Sequence, residues 1–548
     1  MCGIHVVVSI DGFQSLPAAT QTCLCNRGPD HLGEIRSQTT PVGANSKPVF
    51  LGFTSTVLAL RGDHITKQPF RDASSGSILC WNGEAWKIAG TPVQGNDGEA
   101  IFTLLTAASG RDANEDTVLN HRGPFAFVYF DATASRIYYG RDRLGRRSLL
   151  LNQEEGLRLS SVAESTLPAW AEVEADGIYV LDLTEWSSDS SSSSSPRSWT
   201  PGETETVLNI GVFNMALPPS DIQPLSASSS SVQAVRQELT RSLKLRVLSV
   251  PEPPAHEANN DTRVAVLFSG GLDCTVLARM ASDLLPSEQG IDLINVAFEN
   301  PRLAAKAEQA SNGLSLYEAC PDRITGRKSF AELTAVCPAR RWRFVAVDVP
   351  YQEVLAHRSQ VISLMYPHNT EMDLSIAYAL YFAARGVGMS QSHPSDTSAH
   401  YATPARVLLS GLGADELFGG YVRHATAFSR RGHSGLLDEL KLDVSRLGKR
   451  NLGRDDRAMA HWGREVRFPY LDEEFVKWSI ETPVWAKCDF GFTKADAEIE
   501  PGKRVLRLLA EALGMTSVAR EKKRAIQFGS RTAKMESGKT KGTTLIAP

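Results

Sequence analysis

The stretch "VAVLFSGGLDCTVLARMASDLL" (264–285) restricts the fold more than any other part of this 548-residue chain. Its apolar run through Phe268 has the composition of a buried strand, and a turn with two glycines follows. Leu272, Val276, Met280 and Leu284 then recur every fourth residue, as one face of a helix does. Strand, tight loop and helix in that order belong to a parallel α/β sheet. The segments "DLINVAF", "RFVAVDV" and "RVLLS", separated by helix-length stretches, supply the further strands such a sheet needs.

A strand-to-helix junction of this kind aims unpaired backbone N–H groups and a helix dipole at whatever sits above the loop, and glycine lets the main chain come close. That suits phosphate. The lysine of a Walker loop is absent from it. A later apolar strand runs into "LLSGLGADELFGGYVRH" (408–424), whose turn carries Asp415 and Glu416. Taken alone, that acidic pair is no more than a good helix start. Asp273 and Asp415, at the ends of two strands, are together suited to Mg²⁺, which takes one or two carboxylates plus phosphate oxygens.

Residues 2–186 have a different texture, with short β-type segments such as "HVVVSI", "PFAFVYFD" and "RIYYGRD" punctuated by Gly, Asn and Asp. They read as a sheet-rich domain. Residues 187–231, which contain "SSDSSSSSSPRS", have little to bury and read as a Ser-rich linker or loop. Residues 232–548 form the α/β domain, which opens on the helical stretch "VQAVRQELTRSLKLRVLSV" and a Pro-rich hinge. Within it, 302–340 and 387–405 are polar and read as loops or insertions.

A net charge of -4 lacks the basic excess of a nucleic-acid binder. No uninterrupted apolar run reaches the roughly 18 residues of a membrane span, and the start lacks the pattern of a signal peptide. The expectation is a cytoplasmic protein without nucleic-acid or membrane partners. Of the eight cysteines only Cys23 and Cys25 are close in sequence, with no second pair at zinc spacing, so reduced thiols are expected.

The pattern Ser269-Gly270-Gly271-Leu272-Asp273 resembles the pyrophosphate-binding loop of ATP pyrophosphatases, which cleave ATP between its α and β phosphates. "SGGLDCT", "SGLGADELFGGY" and "EVRFPYLDEEF" follow one another in the order seen in glutamine-dependent asparagine synthetases, whose N-terminal half is a class II glutamine amidotransferase. The resemblance implies an N-terminal αββα sandwich of the N-terminal-nucleophile type, joined to an ATP-pyrophosphatase-like α/β domain. It places ATP on Ser269, Gly270, Gly271, Leu272, Asp273, Ser410 and Gly411, and Mg²⁺ on Asp273 and Asp415.

The same resemblance gives meaning to Cys2. In that class the N-terminal cysteine attacks the glutamine carboxamide, forming a thioester and releasing ammonia. A thiol is mostly protonated at neutral pH, and once Met1 is removed the α-amine of Cys2 itself, with a reference pKa of about 7.7–8.0, is positioned to act as base. Asn82 and Gly83 in "LCWNGEAWK" match the oxyanion hole, Arg61 matches the clamp on the glutamine α-carboxylate, and Asp97 in "GNDGEAI" matches the acid that reads its α-ammonium. "NRGPDHLG" and "YGRDRLGRRSLL" match as well.

The synthetase half departs from the usual pattern. Leu412 stands where asparagine synthetases carry a glutamate. Ala525, three residues before Phe528, occupies the place of an expected lysine, with Lys523 and Arg524 beside it. Together with "PDRITGR" and "KRAIQFGSR" these departures resemble the branch of asparagine synthetase domain-containing proteins. "HNTEMDLSIAYALYFAARG" reads as a helix starting at Asn369 or Thr370 and ending before Gly386, and by resemblance it shapes the substrate wall. The leading expectation is a ligase that hydrolyses glutamine at Cys2, adenylates aspartate with ATP and Mg²⁺, and releases asparagine, AMP and pyrophosphate, in a chain that forms a homodimer. The alternatives are amidation of a different carboxylate and a nucleotide-binding interaction protein with reduced catalysis.

Overall fold

The computed structural model describes residues 2–40, 47–109, 121–154, 156–164, 170–184, 186, 196–199, 206–252, 261–302, 315–492, 498–533, 535 and 541–546. Most of the Ser-rich run (187–195) and most of the Pro-rich hinge (253–260) lie outside them.

Two antiparallel six-stranded sheets build the N-terminal domain. One runs in the order Ala171–Glu172, Leu150–Asn152, Leu157–Ser160, Gly3–Ser9, Val49–Val57, His31–Thr39. The other runs Arg197–Ser198, Gly177–Asp182, Arg136–Arg141, Phe125–Asp131, Ile78–Gly83, Phe70–Arg71. Strand side chains alternate between faces, so Ile4, Val6 and Val8 meet Cys80, Val128 and Phe130 of the opposite sheet in a fully apolar interlayer. The outer face of the second sheet, with Leu79, Trp81 and Tyr129, is covered by Ile101 and Leu105 of the helix Asp97–Ala108. That helix starts where the Asn96 side chain accepts a bond from the Glu99 N–H at 3.1 Å. The helix Ala18–Arg27 covers the first sheet through the buried Leu24. Helix, sheet, sheet and helix give the expected four layers.

The C-terminal sheet has seven strands. Five are parallel, in the spatial order Trp342–Val349, Gly290–Phe298, Thr262–Leu267, Val407–Leu409, Glu465–Arg467. Numbered along the chain this order is 3-2-1-4-5. Its direction reverses between Thr262–Leu267 and Val407–Leu409, and in open α/β sheets the crevice at such a reversal, beyond the carboxyl ends of the strands, is where ligands bind. The two glycine-rich loops leave the ends of those same two strands.

Two stretches expected to be irregular are ordered. Pro321–Val336 within 302–340 is a helix, and Val387–Gln391 pairs with Ala399–Ala402 as a hairpin that extends the sheet antiparallel beyond Trp342–Val349. The helix is hard to see in sequence because its buried face carries Asp322, Arg323, Thr325 and Ser329 along with Phe330 and Leu333. Polar burial hides the amphipathic period. The hairpin is the edge of the sheet, half-exposed and rich in small polar residues, so it lacks the apolar run of an interior strand.

The two domains share one apolar core, to which Leu24, Leu58 and Leu60 contribute from the first and most of the second domain's interior from the other. They are also tied by buried charges. Arg467 bonds Glu84 at 2.9 Å and Glu465 at 2.7 Å, Arg147 faces Glu465 and Asp456 at 3.4 and 3.7 Å, and Arg27 bonds Asp456 at 2.9 Å. Removing one member of a buried pair leaves its partner charged in a poorly solvating interior, at a cost of about 3–5 kcal/mol. Arg467→Met is therefore expected to lower the free energy of unfolding, read from a urea titration, by about 3–5 kcal/mol, with a lower midpoint. A midpoint equal to that of the unsubstituted protein would contradict the coupling.

Candidate active sites

The first site is a small cavity of about 30 Å³ at the junction of the two domains, lined by Cys2, Arg61, Gln68, Gly83, Asp97 and Glu465 among others. Cys2 precedes the central strand Gly3–Ser9, and burial pushes its thiol up from the ordinary range. Gln68 holds that sulfur in place, its amide N–H reaching Sγ at 3.9 Å while its Oε1 accepts the Trp81 N–H at 2.8 Å. Asp97, also raised by burial, accepts from the Trp81 indole at 3.0 Å and the Ala85 N–H at 2.8 Å. Arg61 is held by the Val93 carbonyl at 3.0 Å, lies over the Trp86 ring, and faces Glu84 at 3.5 Å. A guanidinium and a carboxylate flanking one small pocket match the two charges of an α-amino acid.

Asn82 does not line this cavity in the computed structure. It is fully buried in the strand Ile78–Gly83, and among the described residues neither its amide nitrogen nor its amide oxygen has a hydrogen-bond partner.

The second site is a cavity of about 560 Å³ at the reversal point of the parallel sheet. Ser269, Gly271, Leu272 and Asp273 line it from the first loop, and Ser410, Gly411, Leu412 and Asp415 from the second. Gly270 is turned away. Its φ is +79° and an added Cβ would lie 2.5 Å from the Gly326 backbone, so the loop and the helix Pro321–Val336 touch main chain to main chain. The Ser329 hydroxyl donates to the Gly270 carbonyl at 2.6 Å and secures that contact. "PDRITGR" thus shapes the phosphate loop from behind.

Between the two loops sits a cation that the sequence reading passed over. Lys503 Nζ lies 2.6 Å from Asp273 and 2.6 Å from Asp415, almost wholly buried. Its backbone is left-handed, with φ +56°, which is uncommon for a residue with a side chain and concentrates at working sites. Gly420 makes room for it, since a Cβ there would come within 2.1 Å of the lysine Cε. The motif "EPGKRVLRLL" carried the signal, a lone lysine before an amphipathic helix, but nothing local placed it beside loops more than 80 residues away. Lys523 reaches Asp415 as well. Burial alone would raise Asp415, yet the two ammonium groups hold it well below the usual carboxylate range. Ala525 lines the cavity, and Lys503, Lys523 and Arg524, which line it too, supply positive charge that position 525 lacks.

Asp273 Oδ1 is buried with no hydrogen-bond partner among the described residues, and two carboxylates from separate loops form a hard oxygen donor set. Both Asp415 oxygens, however, meet the ammonium groups of Lys503 and Lys523, so a divalent cation would find one unengaged carboxylate oxygen, on Asp273, and would draw its other ligands from phosphate.

The profile described as Asparagine synthase matches residues 348–438 and 429–543, and that described as Glutamine amidotransferase domain matches residues 1–202. Asparagine synthetase domain-containing protein 1 of Bos taurus is 32% identical, over 99% of this chain and 97% of its own. An asparagine synthetase domain-containing protein of Saccharomyces cerevisiae is 34% identical over 90% and 86%.

The chain belongs to the asparagine synthetase domain-containing family.

A putative glutamine-hydrolysing asparagine synthetase of Methanocaldococcus jannaschii is 27% identical, over 56% of this chain and 51% of its own. Among the described residues no helix is long and apolar enough to cross a membrane.

The family's two domains meet at Glu84 and Glu465, neither singled out from sequence. Glu84 follows the Asn82-Gly83 pair directly, and Glu465 opens "EVRFPYLDEEF"; only folding brings the second against the Cys2 cavity. In a chain that begins at Cys2, the base must be unprotonated and burial keeps the thiol protonated. Glutamine hydrolysis is therefore expected to rise with pH through about 7.7–8.0, the α-amine range. A rate independent of pH across that range, measured by glutamate release, would contradict the role of the amine.

Proposed function

We propose that the protein is a glutamine-dependent amidoligase with two reaction centres. At the first, the Cys2 thiolate adds to the glutamine carboxamide, the C–N bond breaks, and ammonia leaves with the proton taken from the thiol; water then hydrolyses the thioester to glutamate. At the second, a carboxylate oxygen attacks the α-phosphorus of ATP and the bond to the bridging oxygen of pyrophosphate breaks. Ammonia adds to the resulting acyl adenylate, AMP departs with the electrons of the C–O bond, and the product nitrogen loses a proton. With aspartate, the acceptor implied by the resemblance, the product is asparagine.

The observation that carries this reading is Lys503 between Asp273 and Asp415 at the sheet reversal. Two lysines and a helix N-terminus directed at one cavity suit a triphosphate and the added negative charge of a five-coordinate phosphorus. Mg²⁺ held at Asp273 would neutralise phosphate oxygens. Arg61 and Asp97 select glutamine by its α-carboxylate and α-ammonium, and Gly83, which borders the Cys2 cavity, offers its N–H to the oxyanion. Placing the adenylate in a site separate from the hydrolytic one protects it from water.

Two substitutions separate the half-reactions. Cys2→Ala should abolish AMP release driven by glutamine and retain AMP release driven by ammonium chloride, read by coupled AMP detection with a carboxylate acceptor present. Loss of both would sink the division of labour. Lys503→Met should lower AMP formation by about 100-fold, the scale for a lost electrostatic donor, while glutamine hydrolysis measured alone is unchanged. An AMP rate within a few-fold of the starting protein would remove Lys503 from the chemistry.

A further inference from the structure

The cavity at the two glycine-rich loops has aliphatic side chains in its lining beside the charged ones. The helix Glu371–Arg385 starts at Thr370, whose hydroxyl accepts the Asp373 N–H at 3.2 Å, and stops at the left-handed Gly386. It turns Met372, Ile376 and Leu380 toward the cavity, at four-residue spacing on one face. Leu452 and Met459, from the helix Leu452–Ala460 packed against it, line the same space, as does Leu412. The first five come from two packed helices and form an apolar wall.

The acids around this wall are engaged. Asp455 lines the cavity but is bonded by Arg454 at 2.8 Å, and the same guanidinium bonds Asp373 on the neighbouring helix. Asp443 receives Arg423 and His424, each at 2.8 Å, and Glu416 accepts the Tyr421 hydroxyl at 2.5 Å. Asp322, Glu500 and Glu521 line the cavity too and face Arg524, Arg507 and Lys328 at 3.6, 2.7 and 3.3 Å, so among the described residues every carboxylate the α-ammonium of aspartate could meet here already has a side-chain partner, an unfavourable placement for a charge set against methyl and methylene groups.

We infer that the acceptor is a carboxylate carried on an apolar body without a free α-ammonium group, recognised by the wall of Met372, Ile376, Leu380, Leu412, Leu452 and Met459, and that free aspartate is a poor substrate. This rests on the amidoligase reading and narrows its acceptor. The adenylation step is unchanged: the acceptor carboxylate displaces pyrophosphate from ATP, and ammonia from glutamine displaces AMP.

The test is ATP–pyrophosphate exchange by the full chain with L-aspartate, hexanoate or 4-phenylbutanoate as the acid. The expected result is kcat/KM for the better of the two apolar acids at least about tenfold above that for aspartate, the discrimination a few apolar contacts provide. Leu412→Glu should lower exchange with the apolar acids and raise it with aspartate. Met372→Ala, at a position 46% exposed and so tolerant of trimming, should raise KM for the apolar acids. Exchange with aspartate equal to or faster than with the apolar acids overturns the inference and leaves the amidoligase reading standing. Exchange with none of the acids, by protein that still hydrolyses glutamine, overturns the adenylation reading itself and the inference with it.

Discussion

A line of buried charges joins the two halves of this protein, and the positions of both sites depend on it. It runs from Arg61 to Glu84, Arg467, Glu465, Arg147, Asp456 and Arg27, whose Nε lies 3.4 Å from the Cys2 carbonyl oxygen. The chain of contacts leaves the first domain at Glu84 and returns to it at Arg147, leaves again for Asp456, and comes back at Arg27. Such pairs add little net stability over apolar packing, but each is costly to break, so they specify one docking geometry. The glutamine cavity is completed by Glu465 of the fifth parallel strand, and the edge of the ATP-type sheet becomes part of the floor of the amidotransferase site.

This arrangement explains why the two cavities differ in electrostatic character. The Cys2 cavity is small and lined by Arg61 with Glu84, Asp97 and Glu465, and Arg61 and Asp97 are held at fixed positions by indole, amide and carbonyl partners. The larger cavity brings Lys503 and Lys523 against two aspartates and carries aliphatic side chains from two packed helices beside further paired charges such as Arg454 and Asp455.

Much of the candidate site was legible in sequence because the chemistry is carried by short local runs. The loop after Phe268 could be assigned from composition and spacing alone, and its helix does begin at Leu272. Cys2, Arg61, Gly83 and Asp97 meet around one cavity although they are spread over almost 100 residues, and resemblance, not periodicity, had grouped them. Lys503 escaped notice because its meaning lies in two carboxylates far along the chain. The helix Pro321–Val336 was taken as loop because Arg323 is buried by bonds to Asn295 and Asp348, a polar solution that period counting does not detect.

The sequence by itself determined the order of strands and helices, the phosphate-type loop and the glycine-permitted turns, since these depend on backbone sterics and on side chains within a few residues of one another. The tertiary structure alone decided the 3-2-1-4-5 strand order that opens a crevice between the two loops, the seating of Lys503 between Asp273 and Asp415, and the closing of the Cys2 cavity by Glu465. Those outcomes rest on desolvated charges and methyl groups finding partners across long chain separations, and that free energy exists only once the layers have packed.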